Sequence, residues 1–179
     1  MTGMDSDAAT VVTGESEYGA VVSSIHANEG RALLDFARHL GLADEAAADV
    51  VQESLLRLWR ELQRGKSLTD PTAWTYRTCY RLAMDHHRWR RRLVRLLPRL
   101  APEQPTYAGP EDSDRMLVWT AVDELPPRQR HALYLHYAAD LTFDAVAMTL
   151  GISPSAARTH ASRGIATLRE RLGTREEDE

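Results

Sequence analysis

The stretch LTFDAVAMTLGISPSAARTHASRGIATLR, residues 141–169, decides the reading of this chain, because it encodes two helices joined by a sharp turn. In the first helix, expected over residues 142–150, Phe143, Val146, Ala147 and Leu150 recur at helical spacing, and Gly151 follows where the chain must turn. Ser153 supplies a hydroxyl for the free amides of a new helix, and Pro154 falls at the first helical position, where its missing N–H costs nothing. The second helix, expected over residues 154–172, carries Ala157, Ala161, Ile165 and Leu168 on one narrow apolar stripe. Ser155, Arg158, Thr159, Ser162 and Arg163 look away from it. Hydroxyls and guanidinium forks on one exposed helical face suit phosphates and major-groove base edges, so the pair is expected to read duplex DNA as a helix-turn-helix. A generic amphipathic helix with a solvated basic face is the plainer alternative. Ala147, Gly151 and Ala157 oppose it, being small where two helices of such a unit cross.

Composition fits a helical protein of one or two small domains. The 179 residues are 43% hydrophobic with a net charge of -4. No apolar run approaches the ~20 residues that span a bilayer, and no secretory signal pattern opens the chain, so membrane insertion is not expected and a cytoplasmic protein is. The one cysteine, Cys79, excludes an internal disulfide and sits among apolar residues as a buried thiol. The overall acidity hides a local excess of the opposite sign: residues 72–100 hold eight arginines against Asp85 alone.

The fold class expected is all-α, two small helical domains joined by a proline-rich linker. The boundaries read as a disordered N-terminal tail over 1–28, a first domain over 29–92, a flexible linker over 93–113, a second domain over 114–172 and an acidic tail over 173–179. Fully extended, a linker of this length spans roughly 70 Å at ~3.3 Å per residue. Two modules so tethered reach DNA sites about 16 to 18 base pairs apart, or roughly 55 to 60 Å at ~3.4 Å per step.

In the first domain, a helix over residues 46–62 is expected to bury Val51, Leu55, Leu58, Trp59 and Leu62. Its other side presents Asp49, Gln52, Glu53 and Leu56, and an apolar residue among acids and amides marks a surface for a protein partner. A loop with Lys66 and Ser67 leads into a helix over residues 72–92. One arc of that helix alternates rings with cations: Trp74, Arg77, Thr78, Arg81, Arg88 and Trp89. Stacking platforms beside guanidiniums suit unpaired bases.

These residues, in this order, resemble the extracytoplasmic-function branch of the bacterial sigma-70 family, whose members keep only conserved regions 2 and 4. Asp49-Val50-Val51-Gln52-Glu53 with Leu58-Trp59-Arg60 is similar to region 2.2. Ala73-Trp74, Tyr76-Arg77 and Leu82-Ala83-Met84-Asp85-His86 resemble regions 2.3 and 2.4. Glu124-Leu125-Pro126-Pro127-Arg128-Gln129-Arg130 resembles the entry into region 4. The chain departs from the family pattern at Ala46 and Ala48, where acids are common, at Tyr80-Arg81 in place of Arg-Asn, and at His160, where a basic residue is common.

The resemblance implies a dissociable initiation factor. Asp49, Gln52, Glu53 and Leu56 would bind core RNA polymerase; Lys66, Ser67, Trp74, Arg77, Arg81 and Arg88 the melted minus-10 strand; and Ser155, Arg158, Thr159, Ser162 and Arg163 the minus-35 duplex. It also implies an anti-sigma partner. Catalytic residues, cofactors and metals are not expected: there is no HExxH, no phosphate-binding glycine loop and no Cys/His cluster. The alternative is a conventional helix-turn-helix regulator whose first domain senses a ligand or dimerises.

Overall fold

The structure, a computed structural model, describes residues 6–96 and 113–176, with the side chains of residues 17–96 and 118–171. Every regular element among them is helical: α1 (Ser6–His39), α2 (Asp44–Gln63), α3 (Pro71–Leu96), α4 (Ser113–Asp123), α5 (Pro127–Leu133), α6 (Phe143–Leu150) and α7 (Pro154–Glu176). A π turn, Tyr134–Ala138, extends α5.

Helix α1 corrects the expectation of a disordered tail. Residues 6–28 are helical, and Tyr18, Val21, Val22 and Ile25 recur at three- and four-residue spacing and pack on the core. The glycine, serine and threonine content of this segment suggested disorder; its periodicity, which decides what a helix buries, did not follow its mean composition. Helices α3 and α7 also run past their expected ends, to Leu96 and Glu176. The body of the expected linker, residues 97–112, and the end of the acidic tail, residues 177–179, lie outside the described residues.

Leu33, Phe36 and Ala37 of α1, with Leu40 just past its end, meet Ala47, Val51, Leu55 and Leu58 of α2 and Tyr76, Cys79 and Ala83 of α3, closing the first three-helix unit. Each large apolar side chain withdrawn from water there contributes about 1.5–3 kcal/mol. Trp59, expected on the buried stripe of α2, is only half-buried, because Val50 and Ser54 occupy the inner face instead. The Ser54 hydroxyl donates to the Val50 carbonyl at 2.7 Å, which satisfies a polar group that burial would otherwise leave exposed to no partner. Asp70 caps α3 by accepting from the Ala73 amide at 2.8 Å, and Pro71 follows at the first helical position.

In the second unit the π turn redirects the chain from α5 towards α6. Ala139 N–H donates to the Tyr134 carbonyl, Asp140 adopts a left-handed φ of 51°, and His136 Nδ1–H donates to the Leu141 carbonyl at 2.8 Å. The two units meet along a seam. Tyr134 stacks on Phe36 with centroids 5.3 Å apart and donates through its hydroxyl to the Ala32 carbonyl, and His39 Nδ1 lies 2.7 Å from the Asp123 carboxylate.

Candidate nucleic-acid interface

Thr142 caps α6 by accepting from the Ala145 amide at 3.3 Å, and Gly151 ends it with a left-handed φ of 66°. Ser153 then accepts from the Ala156 amide at 3.2 Å to start α7. The expected turn is thus present with Gly151 and Ser153 in their expected roles, while Thr142, expected as the first residue of the helix, is its cap. Ala157 and Ala161 are buried at the crossing, with Ile165 and Leu168 packed beside the core. Gly164 shares this inner face, and a Cβ there would meet Leu133 Cδ1 at 2.7 Å, so any larger residue would force the Leu133 side chain to shift.

All five residues expected to face DNA from α7 are exposed: Ser155, Arg158, Thr159, Ser162 and Arg163. The Arg158 guanidinium lies 5.6 Å from the Phe143 ring centroid, which steadies a long side chain without consuming its charge in an ion pair. Arg128, from the Pro-Pro-Arg entry, donates to the Leu150 carbonyl at 2.7 Å and so ties α5 to the end of α6.

On the first unit, Asp49 and Gln52 are exposed, Leu56 is 40% exposed, and Glu53 is half-buried with its carboxylate accepting from Arg57 Nε at 2.7 Å. These four residues share one side of α2. The arc expected along α3 divides in two. Trp74, Thr78 and Arg81 line a cavity of about 380 Å³ whose opposite wall is Glu53, Arg57, Arg60, Glu61 and Arg64 of α2. Trp89, 59% exposed, belongs instead to a second cavity of about 400 Å³ with Ala46, Asp49, Val50, Glu53, Leu82, Asp85 and His86. Arg88 pairs with Asp85. Arg77 does not line the first cavity; it is half-buried with Nε withdrawn from water. Lys66 Nζ reaches Glu61 at 3.0 Å, and that hydrogen bond is the main cause holding the Glu61 carboxyl below the usual carboxylate range. Ser67 stands exposed in the loop.

Sequence reasoning missed the arginines of α2. Their signal was present, since Arg57, Arg60 and Arg64 continue the polar side of that helix at three- and four-residue spacing beyond Leu56.

Cys79 is fully buried, and burial pushes its thiol up to about 12, which removes the thiolate a nucleophile needs. His87 Nε2–H donates to the Leu40 carbonyl at 2.9 Å, tying α3 to the end of α1. His131 is buried against the Tyr80 ring edge, and desolvation lowers it to about 3, so it is neutral at physiological pH. Among the described residues no group of three or more His, Cys, Asp and Glu side chains is arranged to hold a metal ion, and no helix is long and apolar enough to cross a membrane.

Residues 26–93 match the family model for sigma-70 region 2, and residues 115–168 that for sigma-70, region 4. The RNA polymerase sigma factor CarQ of Myxococcus xanthus is 32% identical over 130 residues, 71% of this chain and 75% of that protein. The RNA polymerase sigma-E factor of Streptomyces coelicolor is 30% identical over 152 residues, 82% of this chain and 83% of that one. Two solved structures share the fold at 23% identity. They are the sigma factor RpoE of Bartonella quintana in complex with the anti-sigma factor NepR (TM-score 0.68, 80% of this chain and 91% of that one) and CnrH in complex with the cytosolic domain of CnrY (TM-score 0.59, 95% and 99%). The three-helix unit with its acidic face, the turn at Gly151 and these matches in both units lead to one assignment: the chain belongs to the extracytoplasmic-function branch of the sigma-70 family of RNA polymerase sigma factors.

Proposed function

We propose that this chain directs core RNA polymerase to promoters by dividing recognition between two surfaces. The α7 arc of Ser155, Arg158, Thr159, Ser162 and Arg163 reads the minus-35 duplex. The α3 cluster around Trp74 and Arg81 holds the opened minus-10 strand, with Lys66 and Ser67 beside it, and Asp49, Gln52, Glu53 and Leu56 bind the polymerase. The observation that carries the reading is the α7 arc: five polar side chains exposed together, on a helix whose opposite face narrows to Ala157, Ala161 and Gly164 where it crosses its neighbours. The chemistry of RNA synthesis stays with the polymerase, in the cytoplasm.

The seam between the units bears on how the surfaces are used. Minus-10 and minus-35 elements 16 to 18 base pairs apart are separated by roughly 55 to 60 Å along the duplex, whereas α1 and the π turn after α5 touch here through Phe36, Tyr134 and Ala32. Engaging both elements at once parts this seam. An anti-sigma partner belongs to this proposal, and the neighbouring RpoE structure, held in complex with the anti-sigma factor NepR, supports it.

Transcription reconstituted from purified core enzyme and this chain tests the proposal. Specific run-off product that requires both components is expected. Tight, sequence-specific binding of duplex by the chain alone, with no dependence on core enzyme, would instead favour a conventional regulator.

A further inference from the structure

Arg158 and Arg163 both stand exposed on the α7 arc, yet only one of them is steered. Among the described residues the Arg163 side chain has no ion pair and no ring contact. Arg158 likewise takes part in no ion pair there, but its guanidinium lies 5.6 Å from the Phe143 ring centroid, within the range of a cation–π contact. Phe143 is itself held. It is half-buried at the first position of α6, directly after the Thr142 cap, and its ring lies on that of His136 with centroids 3.9 Å apart and 30° between the planes. His136 is fixed by its Nδ1–H, which donates to the Leu141 carbonyl at 2.8 Å, and by the Tyr137 ring 4.7 Å away. The π turn, α6 and α7 thus each give one side chain to a stack that ends at a guanidinium. The π turn supplies its base, and such turns are rare overall and concentrate at functional sites.

What a neighbour does to an arginine depends on which groups it occupies. A carboxylate takes the N–H donors themselves, the same donors that a base edge needs. A ring takes none of them: it attracts the guanidinium through its π face and leaves the N–H groups free. An arginine with no neighbour keeps its rotamer freedom and is drawn to phosphates, which carry no sequence information. A bidentate contact to O6 and N7 of a guanine requires instead that the fork be aimed at one base edge. We propose that Phe143 is a positioning residue for promoter selection: backed by His136, its ring aims the Arg158 guanidinium at a minus-35 base edge, so that base choice at one position depends on a ring that makes no base contact of its own. The inference rests on the minus-35 assignment of α7 and deepens it, because it divides the two arginines into a base reader, Arg158, and a phosphate ligand, Arg163.

The test uses the full chain with core polymerase and a pool of promoter-length duplexes randomised over their upstream half. Bound and unbound duplexes are sequenced across a range of salt for the unsubstituted chain, Phe143→Leu, Phe143→Tyr, His136→Gln, Arg158→Ala, Arg163→Ala and the double variant Phe143→Leu/Arg158→Ala. Arg158→Ala is expected to relax base preference at one position. Phe143→Leu keeps apolar bulk and removes the ring; it should lower preference at that same position about two- to fivefold, the equivalent of one exposed cation–π contact. The slope of log affinity against log salt should not fall in this variant, because no charge is lost. Phe143→Tyr should restore the preference, and His136→Gln, which keeps a donor for the Leu141 carbonyl without the ring, should act in the same direction as Phe143→Leu. Arg163→Ala should weaken all sequences alike and reduce the slope by about 0.9, the value for one duplex phosphate. In the double variant Phe143→Leu should add nothing at the Arg158 position. Loss of preference spread evenly over positions in Phe143→Leu overturns the proposal, as does failure of Phe143→Tyr to restore it, an additive loss in the double variant, or a base-specific loss in Arg163→Ala. If Arg158→Ala relaxes one position and Phe143→Leu leaves it intact, only the positioning role fails. If Arg158→Ala changes no position, the minus-35 assignment of Arg158 fails with it.

Discussion

The two surfaces proposed to bind DNA are built in opposite ways. The minus-35 surface is one face of one helix: α7 puts small residues on its inner side, and everything opposite them is presented outward by helical geometry alone. The minus-10 surface is a cavity with two walls, where α2 and α3 each contribute half of the lining and neither half is a site by itself. A one-helix surface is fixed once its inner face is fixed. A two-helix cavity depends also on how the helices cross, and so on the core beneath them. The first tolerates changes in neighbouring packing that the second should not.

The largest expected effect tests that dependence. Leu58 is fully buried beneath α2 and Leu58→Ala removes most of a core side chain, so a loss of about 2–5 kcal/mol in urea unfolding is expected. At a temperature where the variant remains folded, single-strand binding should fall more than minus-35 duplex binding; equal losses would mean that the two surfaces share one support. Gly164→Val is the matched change in the other unit. With Leu133 Cδ1 only 2.7 Å from where a Cβ would sit, overpacking should cost about 1–3 kcal/mol and weaken duplex binding first. Retained duplex affinity with full stability would show that α7 does not need so close an approach.

The seam between the units gives a pH-dependent test. His131 titrates near 3 in the folded chain and near its ordinary value of about 6.5 when unfolded. Between those values the unfolded chain binds a proton that the native chain refuses, so stability is full above about 6.5 and falls as the pH drops towards 3, by at most ~1.4 kcal/mol per pH unit. The variant His131→Leu should flatten this part of the urea-midpoint profile relative to the unsubstituted chain. Parallel profiles would show that the burial of His131 is relieved elsewhere. The smallest effect is at the turn, where Thr142→Ala removes a single cap from α6 and should lower stability by about 1 kcal/mol without changing which minus-35 sequence is preferred.

The same contrast explains how much was legible beforehand. Gly151, Ser153 and Pro154 have roles set by local backbone chemistry, and periodicity along one helix assigns the exposed arc of α7, so this turn reads directly from sequence. On α3 the rings and arginines were found, but periodicity along that helix alone joined Trp74 to Trp89 and Arg77 to Arg81. The neighbouring helix separates them, placing Trp74 and Arg81 in one cavity and Trp89 in another. Arg60 illustrates the limit: helical spacing alone pairs Arg57 with Glu53 within α2, but only the tertiary arrangement shows that Arg60 shares a cavity with Trp74 of α3. Gly164 is similar, its purpose visible only once Leu133 is opposite it. In α1 the misleading signal was composition, which is an average, where burial follows the positions of Tyr18, Val21, Val22 and Ile25.

The central claim, that opening and duplex recognition reside on separate surfaces, is tested most directly by permanganate footprinting of the transcription bubble with Trp74→Ala and Arg158→Ala side by side, each assembled with core enzyme. Trp74→Ala should lose base stacking worth ~1–3 kcal/mol and with it the reactivity of thymines at the start site, while core binding and minus-35 protection stay near normal. Arg158→Ala should weaken recruitment by roughly 1–3 kcal/mol and relax specificity at one minus-35 position, yet leave thymines reactive in complexes that do form. Thymines as reactive with Trp74→Ala as with the unsubstituted chain would contradict the account and return Trp74 to the core.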